Sequence, residues 1–169
     1  MKLPRTVATV TIVCVVEIVV LAAGFFIVMY SGTYDVAATE AHYATTEWVL
    51  GTTMDESVRH HAAGLAVSAR YNSPDLAEGY ERYHELCVTC HGAPGVAREE
   101  IGMGLNPSPP DLVQTANDWT PSEIYWMVKN GIKMSGMPAF GPTQDEEKLW
   151  NITAFVKRLP GMTPQQYRK

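Results

Sequence analysis

Residues 87–91 read Cys87-Val88-Thr89-Cys90-His91, inside the longer stretch Tyr83-His84-Glu85-Leu86-Cys87-Val88-Thr89-Cys90-His91-Gly92. Two thiols three positions apart, with an imidazole directly after the second, form a spacing that attaches a haem through both vinyl groups. The adjacent His is then free to reach the iron from one face. The chain has three cysteines and five histidines in 169 residues. At that composition the pattern arises by chance only about 0.002 times per chain. A thioredoxin-type pair would want a βαβ context, and zinc would want a second ligand pair at matching spacing; neither is in the sequence. A structural disulfide would leave His91 unexplained. Cys87 and Cys90 are therefore the candidate covalent attachment points for one haem c, and His91 is the candidate proximal ligand.

An iron that carries electrons without binding small molecules needs a second axial ligand, and a thioether there raises the reduction potential. Met137 lies downstream in Gly136-Met137-Pro138-Ala139-Phe140-Gly141. Pro138 and the flanking glycines suit an extended loop, and Phe140 is placed to cover the ring edge. Met137 is the candidate distal ligand. Met134 is the nearest competitor and Met103 a weaker one. The alternative for any of them is an ordinary core methionine.

Around these residues the helical signals are strong. Ser73 and Pro74 read as a cap and first position, followed by an apolar face of Leu76, Tyr80, Tyr83 and Leu86. Gly92 to Pro110 is mostly loop. Thr120-Pro121-Ser122-Glu123 has the form of a capping box ahead of a helix that Gly131 stops. Thr143 to Glu146 opens a last helix with Leu149, Ile152, Thr153 and Val156 on one face. No segment alternates as a strand would, so the expected class is all-α.

Residues 73–161 resemble a mono-haem class I cytochrome c domain. The resemblance is carried by Gly79, Tyr83 and CVTCHG, by the Pro-rich GLNPSPPDL, by the distal loop GIKMSGMPAFG and by the closing EEKLWNITAFVKRLPG. It implies loops folded around one covalent haem, with the first and last helices crossing closely at Gly79. It also implies that a carbonyl among Pro107–Pro110, with Pro109 and Pro110 the candidates, accepts the His91 ring N–H. Tyr83, Trp126 and Trp150 would pack on the haem or, more simply, in the aromatic core. The whole chain is similar to the membrane-anchored bacterial form of that family, although residues 31–70 are not part of its standard fold.

Val7 to Tyr30 contains a single charged residue, Glu17. As a helix these 24 residues would be about 36 Å long, enough for a hydrocarbon core of about 30 Å. A cleaved signal peptide would have a shorter apolar run ending in a small-x-small site, whereas Ala22-Ala23-Gly24 lies inside this one. Lys2 and Arg5 precede the run and Asp35 and Glu40 follow it, which places the N-terminus in the cytoplasm and the rest in the periplasm of a bacterial inner membrane. Glu17 is either a tolerated carboxylic acid or a contact with a partner's membrane subunit. The expected organisation is a cytoplasmic tip and transmembrane anchor at 1–30, a linker and extra helix at 31–72, and the cytochrome c domain at 73–169.

The extra helix is read over Thr45 to about Arg70, weakened by Gly51 and Gly64. Glu56 and His60 stand four apart, so a copper or zinc site with His42 competes there with a plain solvated or interface helix. His84 is read as solvent-facing. Setting aside Lys2, Arg5 and Glu17 leaves 11 basic and 17 acidic residues, so the part beyond residue 30 is acidic. That balance argues against nucleic acid, and 46% hydrophobic residues argue against disorder.

The expected function is electron transfer with no catalytic side chain. The partners would be a redox donor and acceptor, expected to be membrane complexes, which the tether favours. A permanent haem c subunit of a respiratory or dehydrogenase complex, part of a hetero-oligomer, is the alternative. Ligand binding or peroxidase-like chemistry would require an open axial position, against which Met137 stands.

Overall fold

The computed structural model describes residues 4–168. Lys2, one of the two positive charges ahead of the apolar run, lies outside the described residues. The chain divides into two compact units, one ending at Glu40 and one beginning at Ala41.

The first unit is built on α1 (Arg5–Ser31). Its apolar side chains are exposed on every side, with none of the helix buried in protein. A surface of that kind is stable only in lipid. At 27 residues the helix is about 40 Å long, long and apolar enough to cross a hydrocarbon core of about 30 Å. The hydroxyls of Thr9 and Thr11 donate back to the carbonyls of Arg5 and Val7, so neither needs water.

The second unit is all helix and loop, with no strand among the described residues. Its elements are α2 (Ala44–Ala62), α3 (Ala69–Asn72), α4 (Leu76–Leu86), α5 (Val88–His91), α6 (Glu100–Met103), α7 (Leu112–Thr115), α8 (Pro121–Asn130), α9 (Glu146–Val156) and α10 (Pro164–Tyr167). The capping box at α8 forms as the residue pattern requires: Glu123 N–H donates to Thr120 Oγ1 and Thr120 N–H to Glu123 Oε2. At α4 the cap differs from expectation. Asp75, rather than Ser73, receives the N–H groups of Ala77 and Glu78, because its carboxylate reaches two orphan donors at once. The extra helix is also shorter than its apolar pattern suggests. It ends at Ala62, and beyond Gly64 the Leu65 carbonyl accepts from Ser122 Oγ instead of continuing the helix.

The core lies where α4 crosses α9. Tyr83, Leu149, Trp150, Ile152 and Leu159 are fully buried. Phe155 meets Tyr80 edge-on and Tyr83 at a tilt, with centroids 5.8 and 5.4 Å apart. Trp150 stacks on Tyr125 of α8 at 4.1 Å. Buried Asn151 accepts the Asp75 N–H and donates to Glu78, so its amide ties α9 to the first turn of α4.

Gly79 is the crossing point. A Cβ there would stand 2.5 Å from the Asn151 carbonyl oxygen and 3.1 Å from Phe155 Cβ. The first of these is backbone and cannot rotate away. Gly79→Ala is expected to cost roughly 1–3 kcal/mol through forced separation of the helices. Urea or thermal unfolding of the haem-loaded protein checks this; an unchanged midpoint would mean that the helices do not meet at this residue.

Candidate functional site

The motif residues share one helical turn. Cys90 and His91 both donate their N–H to the Cys87 carbonyl, at 3.1 and 2.9 Å. Positions three and four apart lie on one face, so both thiols and the imidazole are presented together. Tyr83 fixes the end of that turn: its hydroxyl donates to the Gly92 carbonyl at 2.6 Å. Burial, with Cys87 and Tyr167 beside it, pushes the Tyr83 phenol far above its ordinary range, so it remains a donor. Burial, with Cys90 as a lesser contributor, raises the Cys87 thiol to about 12. These free thiols stand in the positions that thioether sulfurs would take.

His91 Nδ1 lies 2.8 Å from the Pro110 carbonyl. A carbonyl only accepts, so Nδ1 carries the proton and Nε2 keeps its lone pair. Desolvation holds the imidazole pKa below its ordinary value, the Pro110 bond opposing this, and both features suit a neutral metal ligand. Pro110 is itself held in place: the next residue, Asp111, caps α7 by accepting the Val113 N–H.

The distal loop is tied back onto α8. Phe140 and Gly141 donate to the carbonyls of Val128 and Lys129, which the helix end leaves without intrahelical partners. Ser135 Oγ accepts the Met137 N–H, and the Met137 carbonyl accepts from Ile132. Gly131 makes this packing possible. Its φ is +66°, and a Cβ would lie 2.6–2.8 Å from the backbone of Met137, Pro138 and Ala139. Gly131→Ala is expected to push the loop outward and carry Met137 away from the cavity, read as partial loss of the near-infrared band that a methionine sulfur would give on a ferric haem. An unchanged band would sever Gly131 from loop placement.

These elements enclose a cavity of about 530 Å³. Cys87, Cys90, His91 and Met137 all line it, with apolar walls from Leu86, Leu112, Ile124, Val128 and Phe140. Met134 and Met103 are instead exposed, at 78% and 65%, while Met127 and Met54 line the cavity. An apolar hollow with two thiols, a neutral imidazole and a thioether is the donor set a c-type haem uses, so the residues present fit that group. Tyr83, Trp126 and Trp150 do not line it; Trp126 stacks on His61 of α2 and the other two belong to the core.

Sequence reasoning missed the contribution of α2. Met54, Asp55 and Arg59 reach the cavity wall, as does Trp119 ahead of α8. No motif joins these residues. The Glu56–His60 pair does not form a metal cluster: Glu56 pairs with Arg59 at 2.9 Å, and no group of three metal-ligating side chains occurs among the described residues. His84 is exposed, with its ring stacked on Tyr80.

A membrane-anchored, all-helical domain with these donors around an apolar cavity defines a haem-carrying electron-transfer protein. Residues 74–156 match the family model described as cytochrome c oxidase, cbb3-type, subunit III, so this stretch is a domain of the cytochrome c family. A stretch of 92 residues is 32% identical to the 1-butanol dehydrogenase (cytochrome c) of Thauera butanivorans. That match takes in 54% of this chain and 12% of the dehydrogenase's length. The cofactor of the family is haem c and its chemistry is electron transfer.

Proposed function

We propose that this protein carries one electron at a time through one covalently held haem c, in the periplasm and tethered to a bacterial inner membrane by α1. Cys87 and Cys90 supply the two thioether bonds, and His91 and Met137 bind the iron from opposite faces. The observation that carries this reading is the meeting of all four side chains around one cavity, with His91 Nδ1 committed to Pro110. The bound haem supplies a one-electron iron couple. The protein's own part is to exclude water, hold both ligands without an open position and fix the imidazole tautomer. Arg5 at the start of α1 and Asp35 and Glu40 after it support a cytoplasmic N-terminus. The acidic surface would steer a basic docking partner, and the tether would concentrate it near membrane donors and acceptors.

Optical spectra in the oxidised, reduced and carbon monoxide-treated states test the ligation. A covalent c-type spectrum, a sulfur-to-ferric-iron band and indifference to carbon monoxide are expected. A carbon monoxide shift would mean an open iron and would favour ligand binding over electron transfer.

A second reading has specific support. The family model is described as an oxidase subunit, and the relative is a dehydrogenase named with a cytochrome c. In that reading the chain is a permanent subunit of such a complex, with Glu17 and α2 as interface features. Copurification of stoichiometric partners from mild detergent would favour it; a monodisperse single chain would favour the carrier.

A further inference from the structure

The helix α2 lies outside the family match, which begins at residue 74, yet it forms part of the cavity wall. Its seat is specific. Val58 and Ala62 are buried, the His61 ring stacks on Trp126 at 5.3 Å, and Ser57 O and Oγ both lie near His61 Nδ1. The Arg59 guanidinium sits over the Trp119 ring, 5.5 Å from its centroid, and both residues line the cavity.

A haem brings two propionate carboxylates. They are costly against an apolar wall unless a donor meets them at the rim. Among the described residues lining the cavity, Arg59 is the one permanent cation; Asp55 and Asp118 are acids and His91 is committed to Pro110. A guanidinium fork matches a carboxylate in both geometry and charge. Arg59 now pairs with Glu56 at 2.9 Å and Asp55 at 3.8 Å, with its side chain half exposed. Pairs exposed to this degree contribute little, so exchanging one for a propionate costs little. Lys157, the cation below the same wall, is already occupied by the carbonyls of Ala116 and Trp119. Arg98 donates to Ser108.

We propose that Arg59 holds a haem propionate, so that α2 closes the propionate edge of the cavity. The proposal rests on the haem reading of Cys87, Cys90 and His91. Arg59 acts as a positioning residue: its cation disfavours the ferric state and raises the potential.

The test is potentiometry on the full-length, haem-loaded protein in detergent. Arg59→Gln is expected to shift the iron about tenfold toward the ferric state at fixed ambient potential, a fall of 59 mV for a one-electron couple. Arg59→Lys should fall less, since it keeps the charge and loses the fork. The shift should persist in about 1 M salt, where the screening length is ~3 Å, because a contact pair is screened less than a distant charge. A change below about twofold, or one abolished by salt, overturns the contact. If Arg59→Gln does not load haem, Arg59→Lys decides: a salt-resistant fall supports the fork, and wild-type potential overturns it. A pyridine haemochrome spectrum of the wild type is recorded first. Without covalent haem both readings fall; with haem and an unmoved potential, only the propionate contact does.

Discussion

His91→Ala is expected to reduce covalent haem per chain by more than about tenfold, since removal of groups that merely orient a ligand already costs 10–100-fold in affinity. The measurement is haem stain against immunoblot in membranes. The loss goes beyond one bond. The cavity of about 530 Å³ is lined by core residues of the second unit, Cys87, Ile124, Val128 and Val156 among them. Without the haem this largely apolar lining meets water and loses its packing partner, which weakens the surrounding core. The variant should therefore be degraded or only loosely packed. A haem-loaded, stably folded His91→Ala protein would overturn His91 as the proximal ligand.

Met137→Ala is expected to behave differently. Cys87, Cys90 and His91 remain, so covalent haem should be retained. The iron should then bind carbon monoxide, the sulfur-to-iron band should vanish, and the potential should fall by on the order of 0.1 V, a fraction of the ~0.8 V range axial ligands command. Met134 and Met103 are poor substitutes because both are exposed. Met127 and Met54 line the cavity and are the sulfurs to test if Met137→Ala matches wild type in ligand binding and potential. The two variants separate the roles: one removes the haem, the other opens it.

Much of the helical framework was legible from short spacings. The C-x-x-C-H run, the Thr120–Glu123 box and the apolar faces of α4, α8 and α9 are patterns over three and four residues. Such patterns express interactions within one or two turns, so they survive whatever the rest of the chain does. The α4 cap shows the limit of that reasoning. Ser73 and Asp75 both have capping side chains, and the choice fell to Asp75, whose N–H is also held by Asn151, 76 positions away.

The sequence alone determined the class of cofactor, the two attachment cysteines as candidates, the apolar anchor and an all-helical domain, because each is written in local spacing or composition. Tertiary structure decided which proline carbonyl meets His91, which methionines reach the cavity, and that α2 packs on α8 and lines the same cavity. Arg59 reaches Trp119 and Leu65 reaches Ser122, 60 and 57 positions along the chain. Those contacts depend on which surfaces meet after the helices have formed, and residue spacing along the chain carries no record of that.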